Sequence, residues 1–240
     1  MKFGGTSVGT PERMKHVASL MTSSGEPTFV VLSAMSGTTN ALVEISDYLY
    51  KKNTEGAHEV INNLEKKYMQ HVEELYMTAE MKEKTRAFLS KQFDYLRSFT
   101  KELFTSFEEK SIVACGEVIS TNMIINYLNE QGVKALLIDA LDFMRTDKNA
   151  EPDLPYIKEH LTTIMKQNAD YQIYMTQGFI CRNAYGEVDN LQRGGSDYTA
   201  SLVGAALSAD EIQIWTDIDG MHNNDPRIVE KTEPVHHLNF

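Results

Sequence analysis

The 240-residue sequence predicts an α/β fold built on a mostly parallel sheet covered by helices on both faces. Three observations carry this prediction. Short β-prone apolar runs at 28–32, 134–138, 172–177 and 211–215 alternate with stretches of helical periodicity. The run at 28–32, Thr-Phe-Val-Val-Leu, is apolar throughout and does not alternate, as befits a strand buried on both faces. The 28–32 run and the 211–215 run then pass into loops rich in glycine, hydroxyls or acids, and open parallel sheets bind ligands beyond the carboxyl ends of their strands.

Taken in order, the chain opens on Lys2-Phe3-Gly4-Gly5-Thr6-Ser7, which leaves room for only a very short first strand before a Gly-Gly turn. The lysine precedes the glycines, so this is not a Walker A loop. Thr10 is placed to cap a helix with Pro11 at its first position, running to about Met21. After the 28–32 strand, the hydroxyl-rich loop 33–40 feeds a helix at about 41–52. Residues 55–107 carry two or three amphipathic helices, with Val60, Leu64, Met69, Val72 and Leu75 on one stripe. Phe88, Phe93, Leu96, Phe99, Leu103 and Phe107 form another, and both stripes are expected in the core. No Pro or Gly interrupts 58–114, so this is a helical insertion within the domain, at about 55–110.

A further helix is expected over 111–131, ended by Gly132. Glu117 sits there among apolar neighbours: either an exposed helix acid or an acid pointing into a pocket where it meets an ammonium group. A polar, turn-rich loop spans 139–155 and a helix 156–168; a hairpin tip at 183–187 follows the 172–177 strand. Its return arm leads into Arg193-Gly194-Gly195-Ser196-Asp197. Two glycines allow close approach to bare backbone, Ser196 and Asp197 are good capping residues, and 199–207 is rich in helix formers. A helix N-terminus favours anions, and Arg193 adds a rigid donor fork. An ordinary capped surface helix is the alternative.

Composition narrows the functions. Hydrophobic content of 42% and charged content of 24% are those of an ordinary globular protein. No run reaches the ~18 apolar residues of a membrane span, and no signal-peptide pattern opens the chain. The net charge of −11 argues against broad attraction to nucleic acid or anionic membrane. Cys115 and Cys181 have no metal spacing and read as reduced, buried packing groups. His236-His237 reads as an exposed tail pair rather than a metal site. No G-x-G-x-x-G follows a strand, which disfavours a dinucleotide-dependent oxidoreductase.

In such a sheet, the loops 2–7, 33–40, 193–197 and 216–227 share one edge. They offer three cations, two Gly-Gly turns, several hydroxyls and carboxylates able to hold Mg²⁺. No His or Cys stands out as base or nucleophile. Phosphoryl transfer needs neither, because it relies on positioning and charge neutralisation, and a carboxylate acceptor is already ionised at neutral pH.

These residues resemble a known family. Lys2-Phe3-Gly4-Gly5-Thr6-Ser7, Val31-Leu32-Ser33-Ala34-Met35, Gly116-Glu117, Gly178-Phe179-Ile180, Arg193-Gly194-Gly195-Ser196-Asp197-Tyr198-Thr199-Ala200 and Trp215-Thr216-Asp217 with Asp225-Pro226-Arg227 are similar to the catalytic domain of aspartate kinases. The wider group is the amino acid kinases, a three-layer α/β/α sandwich with a mostly parallel central sheet, of the carbamate kinase-like kind. The resemblance covers essentially all of 1–240. It implies ATP-dependent phosphorylation of the β-carboxylate of L-aspartate, the first step of lysine, threonine and methionine biosynthesis, by a cytoplasmic enzyme with Mg²⁺. By that match Lys2 serves the transferring phosphates, and Asp197 organises Lys2 and the phosphoryl centre. Ser33, Thr39, Glu117, Arg193 and Ser196 hold aspartate, with Arg193 on a carboxylate and Glu117 on the ammonium. Gly4, Gly5, Thr216, Asp217, His222 and Arg227 border the nucleotide.

Some positions depart from the family pattern. Gln192 stands where Gly is usual, Asp189-Asn190-Leu191 replaces Thr-Thr-Leu, and His222 replaces a common Tyr. The chain ends before a family segment that supplies another nucleotide-site lysine and before the regulatory ACT domains. A partial catalytic domain of weak or absent activity is therefore expected, with a homo-oligomer in the full-length form. A kinase for glutamate or N-acetylglutamate, and a non-catalytic ligand-binding module, are the competing readings.

Overall fold

Seven strands and seven α-helices are found among the residues that the computed structural model describes, namely 1–101, 103–191, 194–217, 220–225 and 228–238. Five strands form the main sheet: β1 (Lys2–Phe3), β2 (Thr28–Leu32), β3 (Ala135–Leu137), β4 (Ile173–Gln177) and β7 (Ile214–Trp215). Their order is β3-β4-β2-β1-β7 and every pairing is parallel, with Lys2 opposite Val31 on one side and Ile214 on the other. A separate antiparallel hairpin joins β5 (Ile180–Arg182) to β6 (Val188–Asn190).

The pleat divides the core in two. Val30 and Leu32 of β2, with Ile173 and Met175 of β4, face the layer built by α1 (Pro11–Thr22), α2 (Thr38–Tyr50), α3 (Thr54–Leu75), α4 (Ala79–Ser98) and α5 (Ser106–Glu130). Phe29 and Tyr174 stack on the opposite face, under α6 (Leu154–Gln167) and α7 (Gly195–Leu207). Alternate residues of one strand feed different layers, so Phe29–Leu32 of β2 and Ile173–Met175 of β4 are apolar on both faces, while β4 ends in the buried polar pair Thr176 and Gln177. The three-layer α/β/α sandwich is thereby realised. The helix α5 is long and apolar enough to cross a membrane, yet 78% of its apolar window is buried in this fold, as a central core helix requires.

Several boundaries shift from the sequence reading. The helix α2 starts at Thr38, because Gly37 takes a left-handed φ of 81° and the loop winds into the helix early. The helix α5 starts at Ser106, where Thr105 and Glu108 form a capping box, rather than at 111. The insertion is thus α3, α4 and a short 3₁₀ turn. Leu103 and Phe107 are exposed and leave the predicted stripe, since they flank the turn into α5. The last strand is confined to Ile214–Trp215. Gly132, at a φ of 76°, follows the end of α5 as expected. Cys115 and Cys181 are buried free thiols, and burial pushes both up to about 12. His236 and His237 are exposed.

Candidate active site

Two of the seven helices differ from the rest at their N-termini. Helices α1, α3, α4, α5 and α6 each have a side chain accepting from a first-turn N–H: Thr10, Asn53, Thr78, Thr105 and Asp153. The caps of α2 and α7 are the left-handed glycines Gly37 and Gly194, both at a φ of 81°, with no side-chain cap. The Thr38 and Asp197 N–H groups turn back to the Met35 and Gly194 carbonyls, and with no side chain capping the rest of either first turn, these two ends keep a partial positive charge toward a ligand. Ser196 and Asp197 are therefore not caps. They lie inside the first turn of α7, where Asp197 reaches Lys2 instead.

Both open helix ends reach the carboxyl edge of the sheet and meet there. A cavity of about 250 Å³ is lined by Lys2, Ser33, Thr39, Glu117, Phe179, Gly194, Gly195, Ser196 and Asp197. Six of these were predicted from the sequence as site residues: Lys2, Ser33, Thr39, Glu117, Ser196 and Asp197. Arg193 and Gln192 lie outside the described residues. A larger hollow of about 490 Å³ beside α7 is lined by Glu26, Asp210 and Glu211 and by no lysine or arginine, so it does not suit an anionic ligand.

Glu117 settles between its two sequence readings. Its side chain is 5% exposed, in the core-facing part of α5. The backbone N–H of Ala34 donates to Oε1 at 3.2 Å, while Oε2 is buried with no hydrogen-bond partner. Burial raises its pKa to about 7, against the opposing pull of the Ala34 N–H. An unpartnered buried carboxylate oxygen on a cavity wall is a site for a donor, and an ammonium group satisfies both its charge and its lone pairs. The same helix fixes the loop it faces, because the Ser120 hydroxyl donates to the Ser33 carbonyl at 2.8 Å.

At the mouth, Lys2 Nζ lies 2.6 Å from Asp197 Oδ1, with the lysine side chain 12% exposed and the aspartate 53%. This pair draws the end of β1 and the start of α7 together. The position of a Cβ on Gly4 is 3.5 Å from Lys2 Nζ, and one on Gly5 would lie 2.6 Å from the Ala34 carbonyl oxygen. Gly5 is thus needed first for backbone packing of the 4–9 turn on the β2 loop, where Ser36 N–H donates to the Gly5 carbonyl. Gly178 is similarly constrained: a Cβ there would meet Ser196 Oγ at 2.4 Å and Ser196 Cα at 2.9 Å.

Phe179 was not assigned a role from the sequence. It has a positive φ of 70°, and that conformation is held by its N–H donating to Thr199 Oγ1 at 3.1 Å and its carbonyl accepting from Leu191. Its one sequence signal is the position immediately after Gly178 at the end of a parallel strand.

Thr216 and Asp217 do not line the small cavity. They border an adjacent hollow of about 320 Å³ with Thr6, Ser7, Arg13 and Trp215. His222 is in neither set of lining residues; its Nδ1 lies 2.9 Å from Thr232 Oγ1. Arg227 lies outside the described residues. Among the described residues no three His, Cys, Asp or Glu side chains cluster to hold a metal. Asp197 and Asp217, one on each hollow, are among the carboxylates that could reach a Mg²⁺ ion carried by phosphate oxygens and water.

The family model for the amino acid kinase family matches residues 1–240. The chain belongs to the amino acid kinase family. Among its curated relatives is lysine-sensitive aspartokinase 3 of Escherichia coli, 31% identical over 242 residues, covering 100% of this chain and 53% of the relative. The chloroplastic aspartokinase 1 of Arabidopsis thaliana is 34% identical over 253 residues, covering 100% of this chain and 43% of that protein. The chain spans about half the length of the curated relatives it matches. Among solved structures, E. coli aspartokinase III in complex with aspartate and ADP superposes with a TM-score of 0.85 at 30% identity, over 98% of this chain and 52% of that one. The lysine- and aspartate-bound T-state of that enzyme gives 0.77 at 29% identity, with the same shares covered. This amino acid kinase therefore shares its sheet and helix layers with the aspartokinases.

Proposed function

We propose that the 250 Å³ cavity receives L-aspartate and that the chain is the catalytic unit of an aspartate kinase, transferring the γ-phosphoryl group of ATP to the β-carboxylate. One observation carries the reading: the buried, unpartnered Glu117 Oε2 on the wall of a cavity whose other polar features favour anions. An amino acid presents that combination, one ammonium and carboxylates. The cavity is also below the ~300–1,000 Å³ range of drug-sized pockets, which suits a small substrate and leaves the nucleotide outside it. The aspartate and ADP held by the similar E. coli structure support the same assignment.

In this reading the substrate ammonium meets Glu117, and its carboxylates meet the α2 and α7 N-termini, Ser33, Thr39, Ser196 and Arg193. The β-carboxylate oxygen attacks the γ-phosphorus, the bond to the β,γ-bridging oxygen breaks, and ADP departs. The nucleophile is ionised already, so no base is required. Lys2 spreads positive charge along the moving phosphoryl group, and Asp197 fixes its amine at the cavity mouth. Gly4, Gly5, Thr216, Asp217, His222 and Arg227 border ATP, which brings Mg²⁺ to neutralise its phosphates. The reading carries with it a cytoplasmic enzyme that is a homo-oligomer in full-length form.

Trapping the acyl phosphate with hydroxylamine tests the reaction. Aspartyl hydroxamate that depends on both ATP and aspartate, in excess over the glutamate product, supports the proposal. Preference for glutamate or N-acetylglutamate overturns the substrate assignment. Aspartate binding without any ATP-dependent product would favour a non-catalytic module.

A further inference from the structure

The helical insertion does more than enlarge the core. Its first helix, α3, presents Ala57, Ile61, Leu64, Tyr68, Val72 and Leu75 on one buried face. Five of these are aliphatic, and the sixth carries a hydroxyl. Tyr68 is fully buried, its ring 6.0 Å from that of Phe93 on α4, and its hydroxyl lies 2.7 Å from Thr38 Oγ1. Thr38 is itself fully buried and is the first residue of α2, one position before Thr39 of the cavity wall.

Thr38 is gripped from a second side as well. A Cβ on Gly116 would lie 2.8 Å from Ala34 Cβ and 3.5 Å from Thr38 Cγ2, so α5 presses directly on the 33–40 loop. The residue after Gly116 is Glu117, whose carboxylate receives the Ala34 N–H. From α3, Lys67 Nζ adds a longer contact to the Ser36 carbonyl at 3.4 Å. The loop that offers Ser33 and the first turn of α2 that offers Thr39 are therefore held between α5 and the insertion. On the insertion side the sole buried polar contact among the described residues is the Tyr68–Thr38 pair. Among the described residues these two buried hydroxyls bond to each other, and breaking that bond would leave both desolvated, so the pair ties the start of α2 to α3.

We propose that the Tyr68 hydroxyl is a positioning group for the amino-acid substrate: through Thr38 it sets the 33–37 loop and the first turn of α2 in the geometry that presents Ser33 and Thr39 to the cavity. This rests on the reading of the cavity as the amino-acid pocket. It also gives the insertion a part in substrate affinity, although its own helices line none of the cavity.

The test compares Tyr68→Phe, Thr38→Val and Thr38→Ser with the parent chain, by hydrogen exchange and by calorimetric titration of L-aspartate and of ATP–Mg²⁺. Tyr68→Phe deletes one oxygen and keeps the ring packing. It is expected to speed amide exchange within 35–41 severalfold and to weaken aspartate binding about fivefold, roughly what one net hydrogen bond supplies. ATP–Mg²⁺ affinity should stay within about twofold, since uniform destabilisation would not separate the two ligands. Thr38→Val should reproduce both effects without adding to Tyr68→Phe, and Thr38→Ser, which keeps the hydroxyl, should spare them. Unchanged exchange in Tyr68→Phe, equal losses for both ligands, or an unchanged aspartate affinity would each overturn the proposal. If the parent chain binds no aspartate, the substrate reading fails. The exchange measurement then still decides whether Tyr68 holds the loop, and unchanged exchange would refute that too.

Discussion

Glu117 concentrates the chemistry of the site in one side chain. Its carboxyl is held near 7 by burial, against an ordinary value near 4.5. A raised carboxyl binds its proton more tightly in the folded than in the unfolded chain, so stability falls as pH climbs from about 4.5 to about 7. Across that window the ionised group costs the empty fold on the order of 3 kcal/mol. Thermal melts of the ligand-free chain should therefore show a midpoint that declines between pH 5 and 8, and Glu117→Gln should flatten the decline. An unaltered slope in the variant would mean that Glu117 is not the titrating group. An ammonium ligand favours the carboxylate, so aspartate binding below pH 7 should release a proton, detectable as a buffer-dependent heat. In the proposed function Lys2 serves the nucleotide. Lys2→Ala should leave aspartate affinity within about threefold and abolish detectable ATP–Mg²⁺ turnover, since a transition-state charge contact commonly contributes a factor of ~10² or more. Loss of aspartate affinity with unaltered nucleotide behaviour would reverse the assignment of Lys2.

At the scale of elements, the site depends on strand ends and helix starts that touch through glycine. Gly178 closes β4 against the first turn of α7, and a Cβ there would strike the Ser196 backbone as well as its hydroxyl. A rotamer change cannot relieve a contact with Cα. Gly178→Ala should therefore shift α7 and cost about 1–3 kcal/mol of stability, the usual range for overpacking, while weakening aspartate binding more than tenfold. A variant with a wild-type melting temperature and affinity would show that α7 has slack at this point. These contacts also mark where sequence reasoning stopped. The alternation of runs revealed β2, β4 and their flanking helices, and burial on both faces leaves β2 a nearly continuous apolar signature. It did not reveal that α2 and α7 are capped by left-handed glycines rather than by Ser196 or Asp197. Residue preference names good caps, but the cap is chosen by where the chain enters the helix, and here Asp197 is drawn to Lys2 across the sheet edge.

Over the whole molecule, the parallel order β3-β4-β2-β1-β7 gathers loops from residues 4, 33 and 194 onward at one edge, although they are distant in the chain. The meeting of the loops after β1 and β2 was legible in advance, since it follows from strand polarity, whereas residue 194 arrives by way of the separate β5–β6 hairpin. Glu117 joins the group from the middle of α5, 83 positions from its partner Ala34, and only packing decides whether a mid-helix acid faces water or a cavity. Phe179 escaped for a similar reason: its left-handed backbone is imposed by Thr199 and Leu191, not by its own preference. His222 was named from resemblance alone, and its Nδ1 lies 2.9 Å from Thr232 Oγ1. In the proposed function the cavity holds an α-amino acid by its ammonium on Glu117. Calorimetric titration of L-aspartate into the parent chain and into Glu117→Gln tests it most directly. Saturable binding to the parent at pH 7.5 is expected, with at least a tenfold loss in Glu117→Gln and ATP–Mg²⁺ binding unchanged. Equal aspartate affinity for the two proteins would contradict it.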